Sequence, residues 1–187
     1  HLIDKLKSFN IDLPSNKFIQ IHFSEKFGKT QTLYDFLSKA IDFTITDMKV
    51  LLFYIFYTLY IIRLAYPKFK HNRINTNTIY LYLIERNLNK TQEYIIKNNK
   101  YYLPQIGIEP RLTTFNYSTF DGDFSIMSDV QNLILSLFDV VNDRFPLLNI
   151  LKENIESNKI TTYEELCSFK IFDEFKISEI NINEEVT

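Results

Sequence analysis

The stretch Val50 to Ile62, VLLFYIFYTLYII, constrains this chain more than any other part of it. It runs 13 residues without a charge, between Lys49 and Arg63. A bilayer span takes about 20 apolar residues, so the run is too short to cross a membrane. A helix that is apolar on every side belongs in the middle of a core. Thr46 reads as its N-cap with Asp47 in the first turn, and Pro67 disfavours helix at Tyr66. The spacing therefore predicts one central, buried helix over 46–65, with no membrane span.

Around that helix there is room for a single domain or one large lobe, since the chain has 187 residues. Apolar residues make up 45% and charged residues 24%, which excludes general disorder. The net charge of -2 gives no global pull toward nucleic acid or an anionic membrane. A lone cysteine, Cys167, excludes an internal disulfide and any multi-Cys metal site, and reads as a buried apolar residue. His22 and His71 do not stand in a metal-binding spacing, and no G-x-S-x-G occurs. No metal and no cofactor is expected. No cleavable signal is visible in residues 1–20, and a start at His1 reads as a piece of something longer. The wealth of Asn, Ile and Lys reads as AT-rich coding.

Phe18 to Phe23, FIQIHF, reads as a strand, and Leu33 to Ile41 places its apolar residues on one helical face. After the central helix comes a polar loop, Lys68 to Thr78, and then a strand-like run, Ile79 to Ile84. Lys90 to Pro110 reads as two short strands about a turn at Lys97 to Lys100, with a further short strand at Arg111 to Phe115. Ser128 reads as the cap of a helix over 129–141. Further helices are expected over 146–155 and 162–169, the second opened by a capping box of Thr161 and Glu164. The tail from Glu179 to Thr187 is acidic and expected to fray. The fold class expected is mainly α with small β elements (α+β).

That order of elements resembles the C-terminal lobe of a protein kinase. FIQIHF followed by TLYDFL resembles the hinge strand, linker and first helix of the lobe. KFKHNRINTNTIYL resembles the catalytic loop, H-R-D-L-x-x-x-N. His71-Asn72 matches a variant found in kinase-like proteins of large DNA viruses, as does the Tyr-rich insert EYIIKNNKYYLPQIGIEP. RLTTFNYS resembles the strand and D-F-G motif that follow, and SDVQNLILSL the helix after the activation segment, with Asp129 at its acidic position. TTYEELCSFKIFDEF resembles the closing helix. The resemblance implies a flank over 1–16, a kinase-like lobe over 17–176 and an acidic tail over 177–187.

The resemblance also implies site positions, and several hold the wrong chemistry. Phosphoryl transfer needs an aspartate to orient and deprotonate the acceptor hydroxyl, with Asn and Asp holding the metal. His71 and Asn72 fall in place, but the catalytic aspartate position is Arg73, which accepts no hydrogen bond. The loop asparagine position is Thr78, and Thr114-Phe115-Asn116 stands for D-F-G. The three glycines, Gly28, Gly107 and Gly122, cannot spell a G-x-G-x-x-G loop. These departures imply a catalytically inactive, kinase-like scaffold rather than an enzyme. It would act on protein partners in the virion or host cytoplasm of a large DNA virus.

The alternative is an atypical phosphotransferase that uses Asp121 and Asp123, with its N-lobe outside this chain; Asp123-Phe124-Ser125 faintly mimics D-F-G. Plainer readings stand beside both. Asp121-Gly122-Asp123 is also an ordinary acidic turn. Lys68, Lys70, His71 and Arg73 form a basic cluster that reads as a dock for a phosphate or an acidic partner peptide and also as a solvated loop, and a third reading of the whole chain is an unrelated helical interaction module.

Overall fold

The structure is a computed structural model that describes residues 30–120 and 127–177. The FIQIHF segment, Gly28, the 1–16 flank, Asp121 to Asp123 and the tail from Glu179 lie outside the described residues. In chain order the elements are β1 (Thr30–Thr32), α1 (Leu33–Leu37), α2 (Ile45–Ala65), β2 (Ile79–Ile96), β3 (Asn99–Leu112), α3 (Ser128–Val141), α4 (Leu147–Glu156), α5 (Tyr163–Cys167) and β4 (Lys176–Ile177). The strands form one antiparallel sheet in the order β1-β2-β3-β4. Helices with a four-stranded antiparallel sheet make this an α+β fold, compatible with a kinase-like lobe.

Helix α2 is the predicted central helix, and its cap is corrected from Thr46 to Thr44. The Thr44 hydroxyl accepts from the Asp47 N–H at 3.1 Å, and the Asp47 carboxylate accepts from the Thr44 N–H at 3.0 Å. Only a residue three before the aspartate can close this reciprocal pair. The helix ends where expected: Tyr66, ahead of Pro67, leaves helical geometry at φ -133°. Arg63 in the last turn donates to the carbonyls of Pro67 and Phe69, tying down the loop that follows.

By length and composition alone α2 could cross a bilayer. In this fold its residues from Asp47 to Tyr60 are largely buried against the sheet and the other helices. Phe53 sits at the centre, with the Tyr101 and Phe172 rings both 5.2 Å away and Tyr94 at 5.6 Å. Such paired aromatics contribute beyond the area they bury.

The sheet is larger than the small β elements expected. Strands of 18 and 14 residues form one hairpin through a tight turn, with Lys97 in the left-handed region at φ 52°. Asn87 to Thr91, NLNKT, looks like a loop in the sequence because it is polar. The expected strands left Glu85 to Asn89 unassigned, and β2 runs on through it, with register shifts at Leu83/Arg86 and Asn87/Thr91. On β3 the buried set passes from Tyr101 and Leu103 to Ile106 and Ile108. The alternation changes phase there, as a bulge requires.

Gly107 stands opposite the first shift at φ +92°, and a Cβ there would come within 3.2 Å of the Arg86 Cβ. The Arg86 guanidinium uses that close approach. It donates to the Ile106 carbonyl at 3.0 Å and to the Asp47 carboxylate at 2.9 Å. The bulge is thereby fastened to the N-terminus of α2.

The expected strand Arg111 to Phe115 is also corrected. Strand β3 stops at Leu112, Thr114 takes a left-handed conformation, and a 3-10 turn spans Phe115–Tyr117. Helix α1 stops at Leu37, short of the expected Ile41, which is 88% exposed; the Ser38 hydroxyl takes the Asp35 carbonyl there. Ser128 is the first residue of α3 rather than its cap, and its hydroxyl finds no partner among the described residues. The capping box of α5 is Thr162 with Glu165, one residue later than expected. Helices α2 to α5 and the inner face of the sheet share one core.

Candidate functional site

Two segments meet at one end of the hairpin. The loop after α2 carries His71, Asn72, Arg73 and Thr78, and the segment after β3 carries Thr114, Phe115 and Asn116. The hairpin brings them together because its first and last pairing is Ile79 with Leu112. The loop then runs antiparallel to the second segment for one step, where Lys70 and Thr119 exchange both backbone hydrogen bonds at 2.9 Å. Thr113 closes the near end, its hydroxyl donating to the Thr78 carbonyl at 2.7 Å.

Asp129, in the first turn of α3, fixes the loop. Its side chain is buried, and its two oxygens accept the N–H groups of His71 and Asn72 at 2.7 and 2.8 Å. Accepting both amides holds Asn72 at φ 64°, a conformation that asparagine tolerates. The Asn72 amide reaches across to the Tyr117 carbonyl at 2.9 Å and the Thr119 hydroxyl at 3.1 Å. The sequence held a signal for Asp129. It lies four and eight residues before Leu133 and Leu137, on the buried stripe of α3, and an aspartate in such a stripe needs buried partners.

His71 is fully buried, with Nε2 2.8 Å from the Thr113 carbonyl oxygen. A carbonyl only accepts, so Nε2 carries a proton, and burial favours the neutral ring over the cation. Burial lowers the His71 pKa, outweighing Asp129 and the Thr113 bond, which act the other way. The unfolded chain then takes up a proton near the ordinary histidine value of about 6.5 that the folded chain refuses. Stability is full above that pH and falls as the pH drops toward the lower folded value. Denaturant midpoints should decline between about pH 7.5 and 5.5, and the decline should flatten in His71→Gln. A wild-type midpoint constant over that range would contradict a neutral buried ring.

The other sequence-assigned positions divide. Phe115 packs on His71 at 5.1 Å. The Thr78 hydroxyl donates to the Arg73 carbonyl at 2.8 Å and accepts from the Asn75 N–H at 3.0 Å. The Thr114 hydroxyl donates to the Thr113 carbonyl at 2.6 Å. Arg73 turns outward, and its guanidinium carbon lies 4.3 Å from the centre of the Tyr117 ring. That ring, which the sequence did not single out, is its partner rather than an acidic side chain. Asn116 is exposed. The basic cluster loses His71, which is buried and neutral, and keeps Lys68, Lys70 and Arg73. Asp121 and Asp123 lie outside the described residues.

Among the described residues, no three His, Cys, Asp or Glu side chains gather where they could hold a metal ion. Thr78 and Thr114 offer neutral oxygens already engaged with the backbone, and do not fit a divalent cation. A concavity of about 260 Å³ lies elsewhere, between α2 and the bent hairpin, lined in part by Tyr54, Lys90, Gln92 and Glu109. It shares no residue with the His71 loop.

The chain is 28% identical over 113 residues to "Putative serine/threonine-protein kinase R400" of Acanthamoeba polyphaga mimivirus. The match covers 57% of this chain and 23% of that protein, so the chain spans under a quarter of the relative's length. No family model matches the chain. No solved structure matches it. The match supports a kinase-like relationship to a giant-virus protein. It also corrects the expectation of a non-enzyme drawn from Arg73 and Thr114, because a relative described as a kinase points toward enzyme activity.

Proposed function

We propose that this chain is the C-lobe part of a viral kinase-like phosphotransferase, working with a nucleotide-covering lobe outside these 187 residues. One observation carries the reading. The H-N loop and the T-F-N segment, which the resemblance pairs as catalytic loop and metal motif, lie side by side, joined by His71 to Thr113 and by Lys70 to Thr119.

Transfer from a nucleoside triphosphate breaks the bond between the terminal phosphorus and its bridging oxygen. It forms a bond from that phosphorus to an acceptor hydroxyl, whose proton must go to a base. Arg73 cannot accept it. Asp129 is buried and committed to two amides. Asp121 and Asp123 are the carboxylates next along the chain after Phe120, whose ring packs 5.5 Å from Phe69 in the loop. We assign the proton-accepting role to this pair. A divalent cation would take its ligands there too.

The test is transfer of labelled terminal phosphate from ATP to protein acceptors by the protein carrying this chain. The Asp121→Asn, Asp123→Asn double variant should lose about 10²–10⁴-fold in rate, the size of a general-base contribution. Undiminished transfer by the double variant, or none by the parent, would sink the proposal.

A further inference from the structure

Between Asp47 and Glu85 the chain has no acidic side chain, yet it carries Lys49, Arg63, Lys68, Lys70 and Arg73. Two of these are spent on the fold: Lys49 pairs with Glu174 at 2.6 Å, and Arg63 binds the Pro67 and Phe69 carbonyls. Lys68 and Arg73 are exposed on the His71 loop, and among the described residues neither forms an ion pair. In a chain of net charge -2, the described part of this loop is positive against the overall balance.

The same face holds four large aromatic side chains open to solvent. Tyr66 is 57% exposed, Phe115 47%, Tyr117 48% and Phe120 58%. Tyr66, Phe115 and Phe120 cluster with the buried Phe69. Phe120 lies 5.5 Å from both Tyr66 and Phe69, Phe115 lies 6.4 Å from Phe69, and Arg73 covers Tyr117. An exposed apolar patch rimmed by charge marks an interaction site.

We propose that this face docks an acidic peptide segment of a protein substrate. An aromatic or large apolar side chain of the peptide seats among Tyr66, Phe115 and Phe120, and its carboxylates meet Lys68 and Arg73. The guanidinium of Arg73 is held in place by the Tyr117 ring and offers its N–H edge to a carboxylate. Single-stranded nucleic acid fits less well. Bases stack on open, parallel ring faces. Here the rings stand at 45° to 73° to one another, which makes a corrugated surface, and Arg73 occupies the Tyr117 face. The inference rests on the phosphotransferase reading only where it calls the peptide a substrate.

The experiment is fluorescence anisotropy on the full chain with labelled peptides and a labelled oligothymidylate. One peptide is rich in Asp and Glu with a central Phe, a second replaces the acids with Lys, and a third replaces the Phe with Ser. The acidic Phe peptide should bind at least about tenfold more tightly than any other probe, and should weaken steeply with added salt. Lys68→Glu with Arg73→Glu should reduce its affinity by about tenfold or more, as should Phe120→Ser with Tyr66→Ser. Because these side chains are exposed, an unchanged melting temperature confirms that the variants fold.

Equal binding of acidic and basic peptides, tighter binding of the oligonucleotide, or indifference to the charge reversals would overturn the inference. So would binding that appears only after residues 178–187 are removed, since the chain's own acidic tail would then be the occupant. Peptide binding without phosphate transfer would defeat the phosphotransferase reading and leave the docking face standing. Phosphate transfer with no preference for acidic peptides would do the reverse.

Discussion

Replacing Phe53 with Ala should destabilise the chain by about 3–5 kcal/mol, the usual loss for a large aromatic removed from a packed core. Phe53 is fully buried and central to the rings of Tyr94, Tyr101 and Phe172. Those neighbours come from β2, β3 and the turn after α5, elements far apart in sequence, so they cannot all close in on the vacated space. Chemical denaturation of the purified variant should show the loss as a lower midpoint with an unchanged slope. Phe53→Leu, which keeps much of the volume, should lose clearly less. A loss below about 1 kcal/mol for Phe53→Ala would mean that α2 is not the centre of the core.

The second large effect is expected at Asp129. Asp129→Ala removes the acceptor for two N–H groups, the buried one of His71 and the part-buried one of Asn72. A hydrogen bond to a charged group contributes about 1.5–3 kcal/mol, so a loss of about 3 kcal/mol or more is expected. Asp129→Asn keeps one acceptor oxygen and turns an NH₂ toward the other amide, so it should fall between wild type and Ala. A general packing defect would give the same midpoint, so the discriminating readout is local. Amide hydrogen exchange at His71 and Asn72 should accelerate far more than at Leu51 or Leu52 in α2. Uniform acceleration would show that Asp129 supports the fold at large and not the loop in particular.

Much of this fold was legible in the sequence where one physical cause dominated. The run from Val50 to Ile62 has no polar side to offer water, and α2 is buried. Val130, Leu133, Ile134 and Leu137 repeat at helical spacing, and α3 follows. Reading was weaker where two causes compete. Thr44 and Thr46 both precede Asp47, as Thr161 and Thr162 both precede Glu164 and Glu165, and only the three-residue geometry of the reciprocal cap separates them. The polar run Asn87 to Thr91 hid the continuity of β2, because composition cannot tell a loop from an exposed bulge.

At the site, the resemblance brought His71 and Thr114 into one place, and the structure adds the contacts that hold them there. Asp129 entered the reading only as a family position. Its partners are backbone amides 57 and 58 residues away, and no local pattern reports them. The inference of inactivity went too far. Arg73 and Thr114 alone do not outweigh a relative described as a kinase, of whose length the match covers 23%.

The bulges of the hairpin also bear on edge-to-edge pairing between copies of this chain. Strand β1 covers β2 only at Tyr80 to Tyr82. From Leu83 to Ile96 the outer edge of β2 has no strand beside it among the described residues, and Leu83, Leu88 and Ile95 on it are exposed. A straight edge of that length would be a template for pairing with another chain. The shifts at Leu83/Arg86 and Asn87/Thr91 break it into short lengths and set Lys90 in the gap. An added strand could therefore follow it for only a few residues before losing register. The irregularity of this strand thus shortens every straight stretch of the described edge that another strand could follow.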